Sequence, residues 1–382
     1  TGKGETVCVI DTGVDYTHGN LGGSWGNKVI SGYNTITNTD CNTNNNACMD
    51  DHGHGTHVTG IIVSDNETYK GVAPDAKIVT IKACSSAGTC EDGDVTSGID
   101  WCVSNALTYN ISIITMSLGG GTFTGFCDTN LSESVLKTSI DAAVLNNITV
   151  TVATGNAVSS TTIASPACLQ NSTAIGGVND DDDIQFSRNS ATDLLAPGVD
   201  IISTVLRTGG TISNPSGFKE KEGTSMSTPH VAGAFALLNQ FYKKQFGQTP
   251  VPSVLEDALN DTGKDINDSG TIYQRINIYA ALLSLDTINP VLNVVYPLNN
   301  SKVRDTWIVI NMTSNEVLKS AQIEWNGTIN YTMSGSSLSF YYNITNQGNT
   351  DYTFRIYGND SSDNIGVASV FTIELNNTAP NI

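Results

Sequence analysis

Between Gly223 and Leu238 the chain carries the run that most constrains its fold. Gly223-Thr224-Ser225-Met226-Ser227-Thr228-Pro229-His230 is followed by Val231-Ala232-Gly233-Ala234-Phe235-Ala236-Leu237-Leu238. The second half has the small, apolar character of a helix crossing a domain core. Pro229 is expected in the first helical turn, where a missing N–H is tolerated. Ser225 then sits at the positive end of the helix dipole, facing a cleft, where it can serve as a nucleophile. Read alone, Gly-Thr-Ser is equally an ordinary helix cap.

A serine nucleophile needs a base, and the chain has five histidines. Three of them, His52, His54 and His57, crowd into Asp50-Asp51-His52-Gly53-His54-Gly55-Thr56-His57-Val58. A third group must orient the base. The apolar run Val7-Cys8-Val9-Ile10 reads as a strand that ends in Asp11-Thr12-Gly13-Val14-Asp15. A carboxylate at the C-terminal end of a buried strand points into the crevice where open α/β sheets place their sites. Ionised there, it needs a partner such as an imidazole N–H. The competing readings are a turn-forming Asp11 and a structural histidine cluster.

Three motifs in one order resemble the subtilisin-like serine proteases, the subtilases: Val9 to Asp15, His54 to Val58, and Gly223 to Gly233. Ser117-Leu118-Gly119-Gly120 and Ala153-Thr154-Gly155-Asn156 also match, and the resemblance covers roughly residues 3 to 284. It implies a three-layer α/β catalytic domain with a mainly parallel sheet. It also implies peptide-bond hydrolysis by a Ser-His-Asp triad. Ser225 is then the nucleophile, His54 the general base and acid, and Asp11 the group that holds the imidazole. Asn156, with the Ser225 backbone N–H, forms the oxyanion hole. His52 and His57 match no catalytic role. A metal site built from His52, His54, His57, Asp50 and Asp51 is the alternative use of that cluster.

The same resemblance makes Ser117, Leu118, Gly119 and Gly120 an extended edge that pairs with substrate backbone. Read alone, those residues are a glycine turn after a strand at 111–116. Ala153, Thr154 and Gly155, with Ala164-Ser165-Pro166-Ala167, would wall the primary pocket. None of these matched segments is acidic, which favours broad or apolar selectivity, although neighbouring loops can supply a charge. An inhibitory pro-segment, removed from the mature form, is a further implication. So is structural Ca²⁺ in surface loops. Asn20 stands where the family often has Asp, which puts its best-known tight site in doubt. The stretches Asn179 to Asp183 and Asp261 to Asp268 are the acidic alternatives.

A net charge of −19 over 382 residues argues against nucleic acid as a partner. No apolar run reaches the roughly 18 residues of a membrane span. All eight cysteines lie between Cys8 and Cys168, in no zinc-like spacing, and their even number points to disulfides in an oxidising compartment. Cys41 with Cys48 would staple an Asn-rich loop, and Cys84 with Cys90 a short loop beside the cleft. Cys127 with Cys168 would join the two sides of the primary pocket. Cys8 and Cys102 are left as a fourth bridge or two buried thiols. Fourteen Asn-X-Ser/Thr acceptors, from Asn66 to Asn376, favour an extracellular or cell-surface glycoprotein.

After Leu283 the composition shifts to Val, Ile, Thr and Tyr. The domains expected are a peptidase at 1–285 and an immunoglobulin-like β-sandwich at 286–377. Strands in the latter are expected near 291–296, 307–312, 322–326, 328–332, 338–343, 352–357 and 367–374. The tail 378–382 echoes the 287–292 lead-in and reads as the start of a further β module. Thr1 is not an initiator methionine, so the chain reads as processed or excerpted. The reading carried forward is a secreted serine endopeptidase acting on polypeptides. Its rivals are a narrow processing protease and a self-associating surface protein whose protease domain serves its own maturation.

Overall fold

A computed structural model describes residues 1–305 and 307–376. The expected further module at 378–382 lies outside the described residues. The chain divides into two compact units, Thr1–Leu282 and Leu283–Ile382.

The first unit is built on a ten-stranded sheet. Its strands run, edge to edge, Lys264–Asp268, Thr271–Arg275, Leu194–Pro197, Thr173–Val178, Thr149–Ala153, Ile111–Met116, Thr6–Asp11, Lys77–Lys82, Val29–Asn34 and Thr39–Asp40. Neighbours are parallel except for one antiparallel pair at each edge. The middle strands are short, β-branched and buried along their whole length, as a parallel sheet covered on both faces requires. Thr6–Asp11 lies between Lys77–Lys82 and Ile111–Met116, so the chain crosses from one side of it to the other. That reversal opens a crevice at the C-terminal strand ends. Asp11 closes the first strand, Ser117 follows Met116, and Ala153 ends the strand from Thr149, so all three lie along it.

Helix Thr224–Phe246 packs its buried face, Val231, Ala232, Gly233, Ala234, Phe235 and Ala236 among it, against the sheet and against helix His54–Val63. Small side chains allow this approach: a Cβ added to Gly233 would come within 2.6 Å of Val72 Cβ. The helix begins at Thr224, which puts Pro229 in its second turn rather than its first. Pro229 has no N–H to donate to the carbonyl four residues back, that of Ser225. That carbonyl instead accepts the Ser117 hydroxyl at 2.8 Å. Four disulfides tie the unit: Cys8–Cys102, Cys41–Cys48, Cys84–Cys90 and Cys127–Cys168. The Cys8 and Cys102 sulfurs are therefore bonded, not two buried thiols.

The second unit is β throughout its strands, in two sheets. One orders Leu292–Tyr296, Ile308–Ser314, Ser339–Ile344 and Ser334–Ser336. The other orders Ser301–Val303, Phe371–Leu375, Thr350–Asp360, Leu318–Trp325 and Ile329–Thr332, with Ile365–Val367 beside Thr350–Asp360. Burial alternates along Thr350–Asp360, so Tyr352, Phe354 and Ile356 enter a core with Ile310, Met312, Ile323 and Trp325. Ser301–Val303, Ser334–Ser336 and Ile365–Val367 were not expected from the sequence. At three residues each, they are too short to show an alternating pattern. No helix among the described residues is long and apolar enough to cross a membrane.

Candidate active site

His54 is the first residue of its helix, and Gly53 precedes it with φ of 103°. A Cβ on Gly53 would lie 2.0 Å from the Ile212 carbonyl oxygen, so only glycine fits. The turn is held by Asp50, whose buried carboxylate accepts five hydrogen bonds. The donors are Thr12 Oγ1 at 2.9 Å, His52 N at 3.0 Å, Gly53 N at 2.8 Å, and Thr56 N and Oγ1 at 2.9 and 2.6 Å. Lys82 adds a second tie, donating to the Thr12 carbonyl and to Asp51 Oδ1, each at 2.6 Å. These bonds fix the helix start against the end of the first strand.

The result is an imidazole clamped by a carboxylate. His54 Nδ1 lies 2.8 Å from Asp11 Oδ1 and 3.0 Å from Oδ2, and Thr12 N donates to Oδ1 at 2.7 Å. Burial works against the imidazolium. The charge and hydrogen bond of Asp11, and then the charge of Asp50, outweigh it and raise the His54 pKa above the ordinary histidine value. Ser225 opens on the same cleft from the first turn of its helix. Its Oγ donates to the Ser117 carbonyl at 3.1 Å, so Ser117 and Ser225 exchange two hydrogen bonds.

Asn156 stands beside this helix start. Its Oδ1 accepts from Thr224 N at 2.9 Å and Thr224 Oγ1 at 3.1 Å. With Oδ1 occupied, the amide is oriented and Nδ2 is left as the donor. A Cβ on Gly223 would come within 3.1 Å of that amide, and the Gly223 φ of 136° itself favours glycine.

The cleft holds about 560 Å³ and is lined by Asp11, His52, His54, Ser117 to Gly120, Ala153, Gly155, Asn156, Ser165, Pro166 and Ser225. The loop closed by Cys84–Cys90 borders it through Ala87, Gly88 and Thr89. Three expected wall residues stand back from it: Ala167, buried at 1% exposure, Thr154 and Ala164. Thr154 is fully buried and donates to the Ile175 and Ser187 carbonyls. Ala164 packs behind the lining, 3.0 Å from a Cβ added to Gly119 and 3.4 Å from one on Gly155. Gly120 begins a short strand paired with Ser165, leaving Ser117 to Gly119 as the unpaired part of the edge.

The histidine cluster is not assembled as a metal site. His54 is committed to Asp11, and His57 Nε2 meets the Lys219 carbonyl at 2.9 Å. Among the described residues, only Asp286, Glu316 and Asp360 bring three such ligand atoms within 4.8 Å of one another. Within the acidic stretches considered for calcium, Asp182 pairs with Lys264 and Arg275, and Asp268 with Arg188. Asn20 donates its side-chain amide to Asp65.

The sequence profile of the subtilase family matches residues 2–272. The chain belongs to the subtilase family. It is 36% identical over 245 residues to subtilisin E of Bacillus subtilis (strain 168), a match covering 62% of this chain and 56% of that protein. The chain thus spans about half the length of that curated relative. To subtilisin DY of Bacillus licheniformis it is 34% identical over 276 residues, covering 70% of this chain and 86% of the relative. The solved structure of a cold adapted subtilisin-like serine proteinase aligns with a TM-score of 0.56 at 31% identity. That alignment covers 72% of this chain and 88% of the other.

Proposed function

We propose that the chain is an extracellular serine endopeptidase acting through Asp11, His54, Ser225 and Asn156. The observation that carries this is the Asp11–His54 clamp, 2.8 Å long, opening on the same cleft as a serine at a helix N-terminus. Asp11 holds the Nδ1–H tautomer, so Nε2 is the free base. A substrate strand laid along Ser117 to Gly119 competes for the Ser117 carbonyl and releases the Ser225 hydroxyl to turn towards His54. Ser225 Oγ then bonds to the scissile carbonyl carbon as its proton passes to His54. The oxyanion is met by Asn156 Nδ2 and the Ser225 N–H. His54 returns the proton to the leaving amine as the C–N bond breaks, and water resolves the acyl-enzyme by the same route. Four disulfides and the many glycan acceptors support an oxidising, extracellular setting, with an immunoglobulin-like sandwich as the second unit. Cleavage of an unstructured protein tests the assignment. Activity that disappears in Ser225→Ala supports it, and activity that survives the substitution refutes it.

A further inference from the structure

Four acidic side chains of the catalytic unit are buried: Glu5, Asp11, Asp50 and Glu133. Glu5 has the Lys243 ammonium at 2.8 Å, Asp11 has His54, and Asp50 has three backbone N–H groups among its five donors. Glu133 differs. It is 7% exposed, and among the described residues it has neither a cation within 4.0 Å nor a backbone N–H on its carboxylate. Its donors are two hydroxyls, Ser132 Oγ at 2.7 Å and Ser165 Oγ. Lys137, one helical turn on, is turned away to Asp141 at 2.5 Å and Asp128 at 3.9 Å. A carboxylate offers about four acceptor positions, so a buried one held by two neutral hydroxyls is under-satisfied.

Its location gives this meaning. Ser165 lines the cleft, pairs with Gly120 of the substrate edge, and follows Ala164, which backs Gly119 and Gly155. Ser165, with Ala164 behind it, therefore faces the cleft also lined by Leu118, Leu136 and Ala153. Because Ser165 gives its proton to Glu133, its oxygen can only accept from whatever enters the pocket. A carboxylate behind that oxygen strengthens it as an acceptor. Aliphatic walls ending in an acceptor with a negative charge behind it complement a long aliphatic stem with a cationic tip.

We propose that Glu133, acting through Ser165, makes the primary pocket selective for a cationic side chain, lysine or arginine, on the acyl side of the scissile bond. This rests on the endopeptidase reading above. It replaces the apolar preference expected from the matched segments alone, because the charge comes from outside them, from the 3-10 turn Leu131–Glu133.

The test compares two peptide series identical except for Lys or Met at that position, since Met is unbranched, of similar length and uncharged. Active sites are first counted by fluorophosphonate labelling, so that failure of the endopeptidase reading appears as no labelling and no cleavage of either series. The expected kcat/KM for Lys exceeds that for Met by about tenfold or more, and Glu133→Gln removes most of that ratio while leaving Met within about twofold. Ser165→Ala reduces the ratio in the same direction. Wild-type protein that cleaves Met as well as Lys overturns the proposal even if no variant folds. Equal losses for both peptides in Glu133→Gln, per titrated site, overturn it as well.

Discussion

His57 gives the most quantitative consequence of the structure. It sits three residues after His54, fully buried, with Nε2 on the Lys219 carbonyl. Burial holds its pKa down at about 4, against an ordinary value of 6.5, with the charges of His54 and Lys221 adding to the effect. The folded state therefore prefers the neutral ring, while the unfolded chain binds a proton from about pH 6.5 downward. The stability this contributes is fully present above pH 6.5 and is lost as pH falls towards 4. Linkage over that interval gives a loss of about 2 kcal/mol between pH 7 and pH 5, and about 3 kcal/mol by pH 4. Urea unfolding of the catalytic unit at several pH values measures it, in a Ser225→Ala background that prevents self-digestion. His57→Gln keeps an N–H donor for the Lys219 carbonyl but cannot titrate. Whatever its stability at pH 7, its acid-side decline should be shallower than that of the histidine protein by about 2 to 3 kcal/mol at pH 4. Curves that run parallel within about 0.5 kcal/mol across the range would refute the assignment of this proton.

Other outcomes follow from the same structure. Asn156→Leu removes the oriented Nδ2 donor and should lower kcat by about a hundred- to a thousandfold with little change in KM, read from steady-state kinetics. The raised His54 pKa places the acid limb of the kcat/KM profile above the ordinary histidine value, since the base works only when neutral. Asp11→Asn should lower that inflection and slow turnover by about ten-thousandfold; an unmoved inflection would show that Asp11 does not set it. Removing Cys127–Cys168, which closes a loop of 41 residues, should destabilise the unit by up to about 4 kcal/mol in urea unfolding.

The groups proposed for catalysis could be singled out in the sequence because each sits inside a contiguous motif: Asp11 at a strand end, His54 after a glycine, Ser225 at a helix start. The groups that tune them could not. Asp50 stands in the same histidine-rich segment, but its role appears only when Thr12 and Thr56 fold onto it. Lys82 reaches Thr12 from 70 positions away because two parallel strands set Asp11 beside Lys82. Glu133 lies 32 residues from Ser165, in a 3-10 turn outside the matched motifs, so nothing local ties it to the pocket. Pro229 was expected one turn too early. The shift matters because only in the second turn does its missing N–H free the Ser225 carbonyl for Ser117. In the second unit, strands long enough to alternate could be read and the three-residue strands could not.

Ser225 as the nucleophile is tested most directly by mass spectrometry of the fluorophosphonate-treated protein. A single adduct is expected on the peptide carrying Ser225, absent after His54→Ala because the hydroxyl then has no base. An adduct on any other serine, or undiminished labelling of Ser225 without His54, would contradict it.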